Sequence, residues 1–390
     1  MRQAVGREVV IVEAARTPIG RGKSETGYYA DVHPNELLGA SYRAVIERSG
    51  IDAAIVEDAI AGCVSQVGEQ SNNVARNAWL QAGLPVTTPG TTIDRQCGSA
   101  QQAVNFAAAQ IAAGVHDVVI AGGVEHMGHV PMGANVAHVE ETGTPYPPAL
   151  LDRYELIPQG LSAELIADRW EIARPELDAF GVRSQQLATR ATDEGRFERE
   201  IIPMRVNGST YTSDQGIRPE TSLQTLAKLK PAFKPDGKIT AATSSQISDG
   251  AAAVLLMSAE KAAELGLRAR ARIVDQVTAG VDPVIMLTGP IPATQMILDR
   301  NDLKIGDLDL IEINEAFASV VLAWKRELQP DFDRVNVNGG ALALGHPLGS
   351  SGARLITTLL HELERSDREL GLVTMCTAGG TGPATLIQRI

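Results

Sequence analysis

Two cysteines stand where a thiol could react. Cys97 lies in the stretch TTIDRQCGSAQQAV, in which a predicted strand meets a predicted helix beginning near Gly98 or Ser99. The positive end of a helix can lower the pKa of a cysteine well below its free value of about 8.5, and a thiolate is a strong nucleophile. The small residues that follow leave space for a substrate to reach the sulfur. From this stretch alone, a buried and unreactive cysteine is the competing interpretation.

The other two cysteines differ in their settings. Cys376, in TMCTAGGTG, ends a predicted strand and opens a glycine-rich loop whose backbone N–H groups could converge on an anion. Cys63, in AIAGCVSQ, has no comparable setting, and we interpret it as a packing residue. Three cysteines in 390 residues are too few for a disulfide framework. A reducing cytoplasm is therefore the simplest compartment to expect.

A single imidazole lies within the glycine-rich stretch NGGALALGHPLGSSGARL. The glycines let the backbone approach a ligand closely and adopt positive φ, and the rigid Pro347 favours a fixed orientation for His346 over that of a surface histidine. Asn314 and Glu315, in IEINEAFASVV, lie where an apolar strand becomes a helix. A helix N-cap is the simplest role for Asn314, and that role is compatible with chemistry.

Two further patterns predict chemistry less well. The stretch GRGKS at residues 20–24 lacks the first glycine of a phosphate-binding P-loop, because Thr17 occupies that position. His126, His129 and His138 share a segment with three glutamates, but their spacing matches no standard metal set. We expect this segment to be a polar loop that binds no metal.

The composition excludes some classes of protein. A net charge of −12 argues against a nucleic-acid or membrane-surface protein, although a local basic patch could still bind an anion. No apolar run approaches the roughly 20 residues that span a bilayer. The opening stretch, MRQAVGREVVIVEAARTPIG, has no signal-peptide pattern. We expect a cytoplasmic protein that binds neither nucleic acid nor membrane.

Short β-branched runs alternate with alanine-rich helical stretches along most of the chain, as in EVVIVEA, HDVVIAGG and ARIVDQV. The alternation predicts an α/β fold with mostly parallel, buried sheets. Residues 124–243 hold many prolines and charges, with helices readable at 162–170 and 175–194, and predict an inserted, loop-rich subdomain. HDVVIAGGVE and LGLVTMCTAGGTG each follow a long helix that starts at a small-residue elbow, which predicts two related α/β halves.

Taken together, these motifs resemble the thiolase family over essentially the whole chain. In the family's order they are EAARTPIGR, DRQCGSAQQA, GGVEHM, SSQISDGAAAV, EINEAFA, NGGALALGHPLGSSGARL and MCTAGGTG. The stretches GCVSQVGEQSNNVARNAWL and HELERSD look most like the degradative branch that includes steroid side-chain thiolases. The resemblance implies two similar α/β halves, residues 1–264 and 265–390, in a five-layered α-β-α-β-α arrangement with a loop domain inserted at about 124–243.

The resemblance also implies an activity. The chain would be a CoA-dependent acyltransferase that cleaves a 3-ketoacyl-CoA with CoA, through an acylated Cys97, to acetyl-CoA and a shortened acyl-CoA. His346 would activate the thiol and help to bind a thioester oxygen, and Asn314 would hold a water in that oxyanion hole. Cys376 would be the acid and base at the α-carbon, and the N–H groups of Cys97 and Ala378 would form a second oxyanion hole. CoA and acyl-CoA would be substrates, with no metal and no permanently bound cofactor.

A tunnel for the pantetheine arm of CoA is implied as well. Ser245 would contact that arm, and the residues lining the tunnel would be Phe233, Ala316 and Phe317. The CoA phosphates need local cations, and the candidates in the loop domain are Arg183, Arg218, Lys228 and Lys230. Ordinary solvated surface charge is the alternative for each of them. By resemblance, the assembly would be a homodimer or homotetramer.

The sequence departs from the family pattern at two places. Ala378 stands where a glycine is usual; its N–H survives, but its Cβ narrows the allowed φ. Pro158 and Gln159 precede GLSAE, where short-chain members usually carry His-Met. We expect this change to reshape the acyl pocket for a group longer or bulkier than acetoacetyl.

Three alternatives stay open at the level of sequence. The same chemistry could run as a condensation of two acetyl-CoA molecules. A non-catalytic acyl-CoA or lipid-binding protein could share the fold, although Cys97, Asn314, His346 and Cys376 are all retained. A decarboxylating ketoacyl synthase would use two histidines beside its cysteine, and only His346 has a suitable loop setting.

Overall fold

The structure is a computed structural model that describes residues 6–137 and 139–390. The strands in these residues are β1 (Val9–Arg16), β2 (Gly20–Arg21), β3 (Asp58–Gly62), β4 (Gly90–Ile93), β5 (Val118–His126), β6 (Met204–Val206), β7 (Ser209–Tyr211), β8 (Ser248–Ser258), β9 (Ala271–Gly280), β10 (Leu310–Ile313), β11 (Leu370–Thr374) and β12 (Thr381–Arg389).

The helices alternate with these strands. They are α1 (Pro34–Ser49), α2 (Val74–Gln81), α3 (Ser99–Ala112), α4 (Val139–Thr142), α5 (Pro148–Leu151), α6 (Gln159–Arg169), α7 (Arg174–Asp193), α8 (Leu223–Leu226), α9 (Ala259–Glu264), α10 (Pro290–Asn301), α11 (Ala318–Leu328), α12 (Ala341–Leu344) and α13 (Ser351–Arg365). The helix α1 shows how local sequence sets these bounds: it begins at a proline and ends at Gly50, whose φ of 73° suits glycine.

The prediction of mostly parallel sheets is wrong. Strand order is β10-β11-β12-β9-β1-β8-β5-β3-β4. Among the described strands, neighbours run parallel only at β3–β4, β3–β5 and β10–β11. The central strands pair antiparallel, yet helices cover both of their faces. All of β8 is buried, for example. A continuous apolar run indicates that a strand is buried on both faces. Such burial is usual for parallel strands, but antiparallel strands can have it too.

Two similar halves meet in the middle of this sheet. Within the described strands, β1 and β9 are joined by only two residue pairs, which are Val10 with Arg272 and Ile11 with Ala271. On either side of that junction the order is repeated: β3, β5, β8 and β1 correspond to β10, β11, β12 and β9, with the same parallel and antiparallel pairings. The self-resemblance of the HDVVIAGG and LGLVTMCT stretches falls on β5 and β11.

Three apolar cores separate five layers. The central core packs α3 and α13 between the two halves of the sheet. One outer core places α1 and α2 on the N-terminal half, and the other places α6, α10 and α11 on the C-terminal half. The predicted five-layered α-β-α-β-α thiolase fold is confirmed.

The two central helices pack closely because their residues are small. A Cβ added at Gly352 of α13 would lie 2.3 Å from the backbone nitrogen of Gln101 in α3. The start of α3 is equally tight against β3, since a Cβ at Gly62 would lie 2.4 Å from the nitrogen of Ala100. This packing sets the distance between the loop before α3, which carries Cys97, and the loop before α13, which carries His346.

The predicted loop-rich subdomain contains short elements. The helices expected at 162–170 and 175–194 are α6 and α7, and β6 with β7 forms a small hairpin. Most side chains between residues 131 and 157 are exposed, apart from the undescribed His138. Within the described chain, no helix is long and apolar enough to cross a bilayer.

Candidate active site

Cys97 occupies a tight elbow between β4 and α3. Gln96, just before it, has a left-handed φ of 49°, which is uncommon and costly for a residue other than glycine. The hydroxyl of Ser99 accepts the N–H of Arg95 at 2.9 Å and donates to the carbonyl of Gln96 at 2.6 Å. These bonds fix the turn, so Cys97 stands immediately before the first turn of α3, as the sequence predicts.

Two backbone N–H groups, those of Cys97 itself and of Ala378, donate to the Cys97 sulfur. Both interactions lower its pKa, but burial outweighs them and raises the pKa to about 12. The sequence suggested that the helix end would lower this pKa. In the folded chain the sulfur is too well covered for the helix end to decide the outcome. The resting group is a neutral thiol, and it needs a base.

Cys376 lies beside Cys97. It is fully buried, and burial raises its pKa, with a further increase from the neighbouring Cys97. Their loops are in contact, since a Cβ at Gly98 would lie 2.9 Å from Cγ2 of Thr377. The structure therefore brings these two thiols, from distant parts of the chain, into contact with one site.

His346 is held in one tautomer. Its Nδ1 lies 2.6 Å from the hydroxyl of Ser351, which itself donates to the carbonyl of Pro347 at 2.8 Å. Since the hydroxyl hydrogen is in the bond to Pro347, the Ser351 oxygen can only accept from the imidazole. Nδ1 therefore carries the imidazole hydrogen and donates a hydrogen bond to Ser351. Nε2 is left with a lone pair, and the amide of Asn314 lies 3.3 Å from it.

The same imidazole is neutral at rest. Burial, and then the charge of Arg354, lowers the pKa of His346 to about 3. A neutral imidazole with a free Nε2 can accept a proton, whereas an imidazolium cannot. The resting Cys97 thiol and the resting His346 imidazole are therefore both neutral.

The glycines around His346 bring its loop close to the surrounding strands. Gly345 has a φ of 112°, and a Cβ there would lie 2.3 Å from the hydroxyl of Ser248. That hydroxyl accepts the His346 N–H at 3.1 Å. On the far side of the loop, the buried carboxylate of Glu125 accepts the N–H of Gly349 at 2.9 Å. A side chain at Gly345 or Gly349 would prevent the loop from packing this closely against Ser248 and Glu125.

Asn314 does not cap a helix. It continues β10, its N–H donates to the carbonyl of Thr374 at 3.1 Å, and the next helix begins at Ala318 with Phe317 as its N-cap. Its Oδ1 atom is buried without a hydrogen-bond partner among the described residues. Glu315 is also buried, with its carboxylate bound by the hydroxyl of Ser184. Asn314 is thus directed toward His346 by the strand.

Four of the residues expected to bind the pantetheine arm lie together. The N–H of Ser245 donates to the carbonyl of Ala316 at 2.9 Å. The ring of Phe233 meets that of Phe317 edge to face, with centroids 5.8 Å apart. The remaining one, Arg218, has Nη2 3.5 Å from the side-chain oxygen of Gln246, the residue after Ser245.

The other cation candidates do not gather there. Arg183 donates to the carbonyls of Phe332 and Val335, and its guanidinium lies 4.6 Å from the Phe332 ring centroid. Its Nη2 atom is bound to the C-terminal half and its Nη1 atom is buried, so it does not fit the role of a phosphate-binding cation. Lys228 and Lys230 are exposed and form no ion pair within the described residues.

Ala378 fits its position without strain. Its φ is not among the positive values, and the left-handed turns that follow fall on Gly379 and Gly380, at 77° and 80°. The departure from the usual glycine therefore leaves the N–H donor in place at no backbone cost.

The histidine-rich segment is built into the fold. His126 ends β5, is fully buried, and stacks on His129 with ring centroids 3.9 Å apart. His138 lies outside the described residues. Among the described residues, no group of three or more His, Cys, Asp or Glu side chains could hold a metal ion.

Sequence reasoning missed the residues that hold the catalytic candidates. Ser351 sits five positions after His346 in the GSSGARL stretch, a spacing that carries no recognisable signal before the loop geometry is known. Ser248 and Glu125 act on backbone N–H groups, which any sequence would offer. Their polar character at the ends of apolar strands was the one available clue.

The chain is similar to known proteins over its whole length. Residues 9–260 match the family described as "Thiolase, N-terminal domain" and residues 267–389 match "Thiolase, C-terminal domain". The chain is 46% identical over 395 residues to the steroid 3-ketoacyl-CoA thiolase FadA6 of Mycobacterium tuberculosis, covering 100% of this chain and 96% of that protein. It is 47% identical over 392 residues to a 3-ketoacyl-CoA thiolase of Acinetobacter baumannii, covering 98% of each. The crystal structure of the Bacillus anthracis acetyl-CoA acetyltransferase superposes with a TM-score of 0.91 at 39% identity, covering 100% of both chains.

Proposed function

The chain belongs to the thiolase family, and from that premise we propose that it cleaves 3-ketoacyl-CoA thioesters with CoA, releasing acetyl-CoA and an acyl-CoA shortened by two carbons. One observation carries this proposal. The Cys97 thiol receives the N–H groups of Cys97 and Ala378 beside a second thiol, Cys376. A cysteine placed only for packing has no use for two converging donors and a second thiol.

The first step is acylation. The thiol of Cys97 gives its proton to Nε2 of His346, and the sulfur attacks the 3-keto carbon of the substrate. Negative charge develops on the keto oxygen, where the N–H groups of Cys97 and Ala378 stabilise it. Such preorganised donors are worth about 2.7–4 kcal/mol each in mutational tests of other enzymes. Because burial raises the pKa of Cys97 to about 12 and lowers that of His346 to about 3, a resting thiolate–imidazolium pair is unfavourable. We propose that the proton moves as the sulfur attacks.

Cleavage of the carbon–carbon bond follows. The bonding pair moves from the 3-keto carbon to the α-carbon, so acetyl-CoA leaves as an enolate while the acyl group stays on Cys97. The enolate oxygen is stabilised by the Nε2–H that His346 has just acquired and by Asn314. Cys376 then gives its thiol proton to the α-carbon, which completes acetyl-CoA.

The second half reverses the roles. The thiolate of Cys376 takes the proton of an incoming CoA thiol, whose sulfur attacks the acyl carbon on Cys97. The tetrahedral oxyanion again binds the two backbone N–H groups, and Cys97 leaves as it recovers its proton from His346. Both cysteines end protonated, Cys97 by the proton that His346 returns and Cys376 by the proton from CoA, and the product is the shortened acyl-CoA.

The substrate lies along the residues that the family resemblance assigns to CoA. Ser245, Phe233, Ala316 and Phe317 would line the pantetheine tunnel, with Arg218 beside its entrance for a phosphate. Pro158 is the N-cap of α6 and Gln159 is its first residue, and we take this end of the helix as one wall of the acyl site. We propose that this wall accepts an acyl group longer or bulkier than acetoacetyl, either fatty or derived from a steroid. The name of the FadA6 relative supports the steroid case.

The organisation of the protein follows from the same premise. We propose two thiolase halves, residues 1–264 and 265–390, with the loop domain at about 124–243 covering the site. We also propose a cytoplasmic homodimer or homotetramer. Size-exclusion chromatography with light scattering would decide the oligomeric state.

A substrate panel tests the proposed function. Purified protein and its Cys97→Ala variant are given CoA with 3-ketoacyl-CoA substrates from acetoacetyl-CoA to long-chain and steroid side-chain thioesters. We expect thiolysis that increases beyond acetoacetyl-CoA, a mass adduct on Cys97, and neither in the variant. Absence of both thiolysis and adduct would identify a non-catalytic binding protein instead, and a clear preference for acetoacetyl-CoA would refute the long-acyl proposal.

A further inference from the structure

A buried charge lies behind the Asn314–His346 contact, and none of the proposed steps uses it. Arg354 is 2% exposed, and its Nη1 is 3.5 Å from Oε2 of Glu312, which is 3% exposed. The Nε and Nη2 atoms of Arg354 have no hydrogen-bond partner among the described residues. One long contact is little compensation for a guanidinium removed from water.

The strand β10 places Glu312 directly behind Asn314. Ile311 and Ile313 face the outer core with α10 and α11, whereas Leu310 faces the central core with α13. Because side chains alternate along a strand, Glu312 and Asn314 share the face of Leu310. The carboxylate and the catalytic amide therefore stand side by side on the α13 side of the strand.

The helix α13 completes the arrangement. Arg354 follows Ser351 by three residues and so lies on the same face of the helix. Ser351 holds the imidazole of His346. The Arg354–Glu312 contact thus joins the helix that supports His346 to the strand that carries Asn314.

We propose that Arg354 is a positioning residue whose pairing with Glu312 sets the spacing of α13 and β10, and thereby the alignment of Asn314 with His346. This inference rests on the proposed function, because that alignment forms the oxyanion hole for the enolate. A misplacement of about 1 Å at a catalytic group can cost about 100-fold in rate.

The surrounding charges support this role. Burial raises the pKa of Glu312 to about 8, and Arg354 acts in the opposite direction. On the next turn of α13, the Thr358 hydroxyl donates to Glu200 at 3.1 Å, and Glu200 pairs with Arg16 at 2.6 Å. The guanidinium of Arg354 therefore lies among buried charged groups and feels the charges of Glu312, Arg16 and Glu200.

A purely structural role makes a different prediction. Buried ion pairs rarely add stability over apolar side chains of similar volume, and replacing both partners is often neutral or stabilising. A double variant, Arg354→Met with Glu312→Leu, should then keep the fold while removing the polar contact. This separates positioning from stability.

The experiment compares this double variant with wild type, with Arg354→Lys, and with Arg365→Gln. The last removes a half-exposed charge at the far end of the same helix. Thermal melting, kcat and KM for thiolysis, and the rate of Cys97 alkylation by iodoacetamide are measured. We expect the double variant to melt no lower than wild type and to lose about 10- to 100-fold in kcat, with KM within about threefold. Arg354→Lys should recover part of kcat, and Arg365→Gln should match wild type.

A wild-type kcat in the double variant would overturn the proposal, as would a fall in kcat matched by a fall in melting temperature. If wild-type protein showed no thiolysis, the proposed function would fail, but the alkylation assay would still apply because it needs only Cys97 and its base. Slower alkylation in the double variant would then support the positioning role, and an unchanged rate would end it.

Discussion

The hydroxyl of Ser351 lies 2.6 Å from Nδ1 of His346 and donates its own hydrogen bond to the carbonyl of Pro347. This two-bond chain decides which imidazole nitrogen is free. Ser350 offers a matched comparison, because its hydroxyl also donates to the Pro347 carbonyl, at 3.2 Å, whereas the hydroxyl that contacts the imidazole is that of Ser351.

Removing the hydroxyl of Ser351 should release the tautomer. In Ser351→Ala, Nδ1 loses its acceptor, so the imidazole can place its hydrogen on Nε2 and can no longer accept the proton of Cys97. We expect kcat to fall by about 10- to 100-fold, as for a misaligned catalytic group, while Ser350→Ala stays near wild type. Steady-state thiolysis and the alkylation rate of Cys97 measure the effect; equal losses in both variants would show that the bonds to the Pro347 carbonyl matter and the tautomer does not.

The two thiols should separate the chemistry into two halves. Cys376→Ala retains Cys97, His346 and both backbone donors, so transfer of an acyl group from a saturated acyl-CoA to Cys97 should persist, although more slowly, because CoA must leave as a thiolate without a proton from Cys376. Proton transfer at the α-carbon should be lost, lowering carbon–carbon cleavage by roughly 100- to 10,000-fold.

Two measurements check this separation. Mass spectrometry reports the acyl adduct on Cys97, and deuterium exchange at the methyl group of acetyl-CoA in D2O reports proton transfer. Wild type should show both, Cys376→Ala only the adduct, and Cys97→Ala at least part of the exchange. Rapid exchange in Cys376→Ala would assign the α-carbon proton to another group.

The sequence could predict the elements of the site better than their electrostatics. Cys97 stands at a helix start and His346 in a glycine loop, because these features are local and leave a signature within a few residues. The pKa of Cys97 depends instead on what covers the elbow, and the cover includes the loop after Cys376, from the far end of the chain. No local pattern reports such burial.

Strand direction escaped prediction for a similar reason. The sequence of β8 predicts a buried strand, and the strand is buried. Its antiparallel pairing with both β1 and β5 depends instead on where the long segment before it re-enters the sheet. The apolar run is satisfied equally by either direction. The Arg354–Glu312 pair was likewise invisible, because each residue sits in an element that sequence reasoning treats as apolar.

A buried acid–base pair should shape the pH dependence of stability. His126 Nδ1 lies 3.3 Å from Oδ1 of Asp249, and both side chains are fully buried. Burial lowers the pKa of His126 to about 4 and raises that of Asp249 to about 7. Between pH 4 and 6.5 the folded pair holds one proton, on Asp249, and the unfolded pair also holds one, on His126. The pair therefore contributes no slope in this window.

Replacing either member of the pair should make the free energy of unfolding depend on pH, with opposite slopes in the two variants. In Asp249→Asn the unfolded state holds one more proton than the folded state, so the free energy of unfolding should rise with pH relative to wild type. In His126→Gln the folded state holds the extra proton, on Asp249, so the free energy of unfolding should fall as pH rises, relative to wild type. Each slope approaches about 1.4 kcal/mol per pH unit. Urea unfolding at intervals from pH 4.5 to 6.5 measures both, and curves parallel to wild type would show that the two groups do not share a proton.

The spacing of the two central helices gives the last prediction. In Gly352→Ala the new Cβ would lie 2.3 Å from the backbone nitrogen of Gln101. Alanine favours a helix over glycine by about 1 kcal/mol, but overpacking against a backbone costs about 1–3 kcal/mol, so the free energy of unfolding should fall. Gly306→Ala is the control, because nothing lies within 4 Å of its Cβ position, and its stability should change by no more than about 0.5 kcal/mol.

Moving α13 from α3 also moves Ser351 from the Cys97 elbow, so kcat should fall in Gly352→Ala even at temperatures where the variant is fully folded. Chemical unfolding and thiolysis of both variants test this, and a stable Gly352→Ala with wild-type kcat would mean that the helix contact does not set the distance between imidazole and thiol.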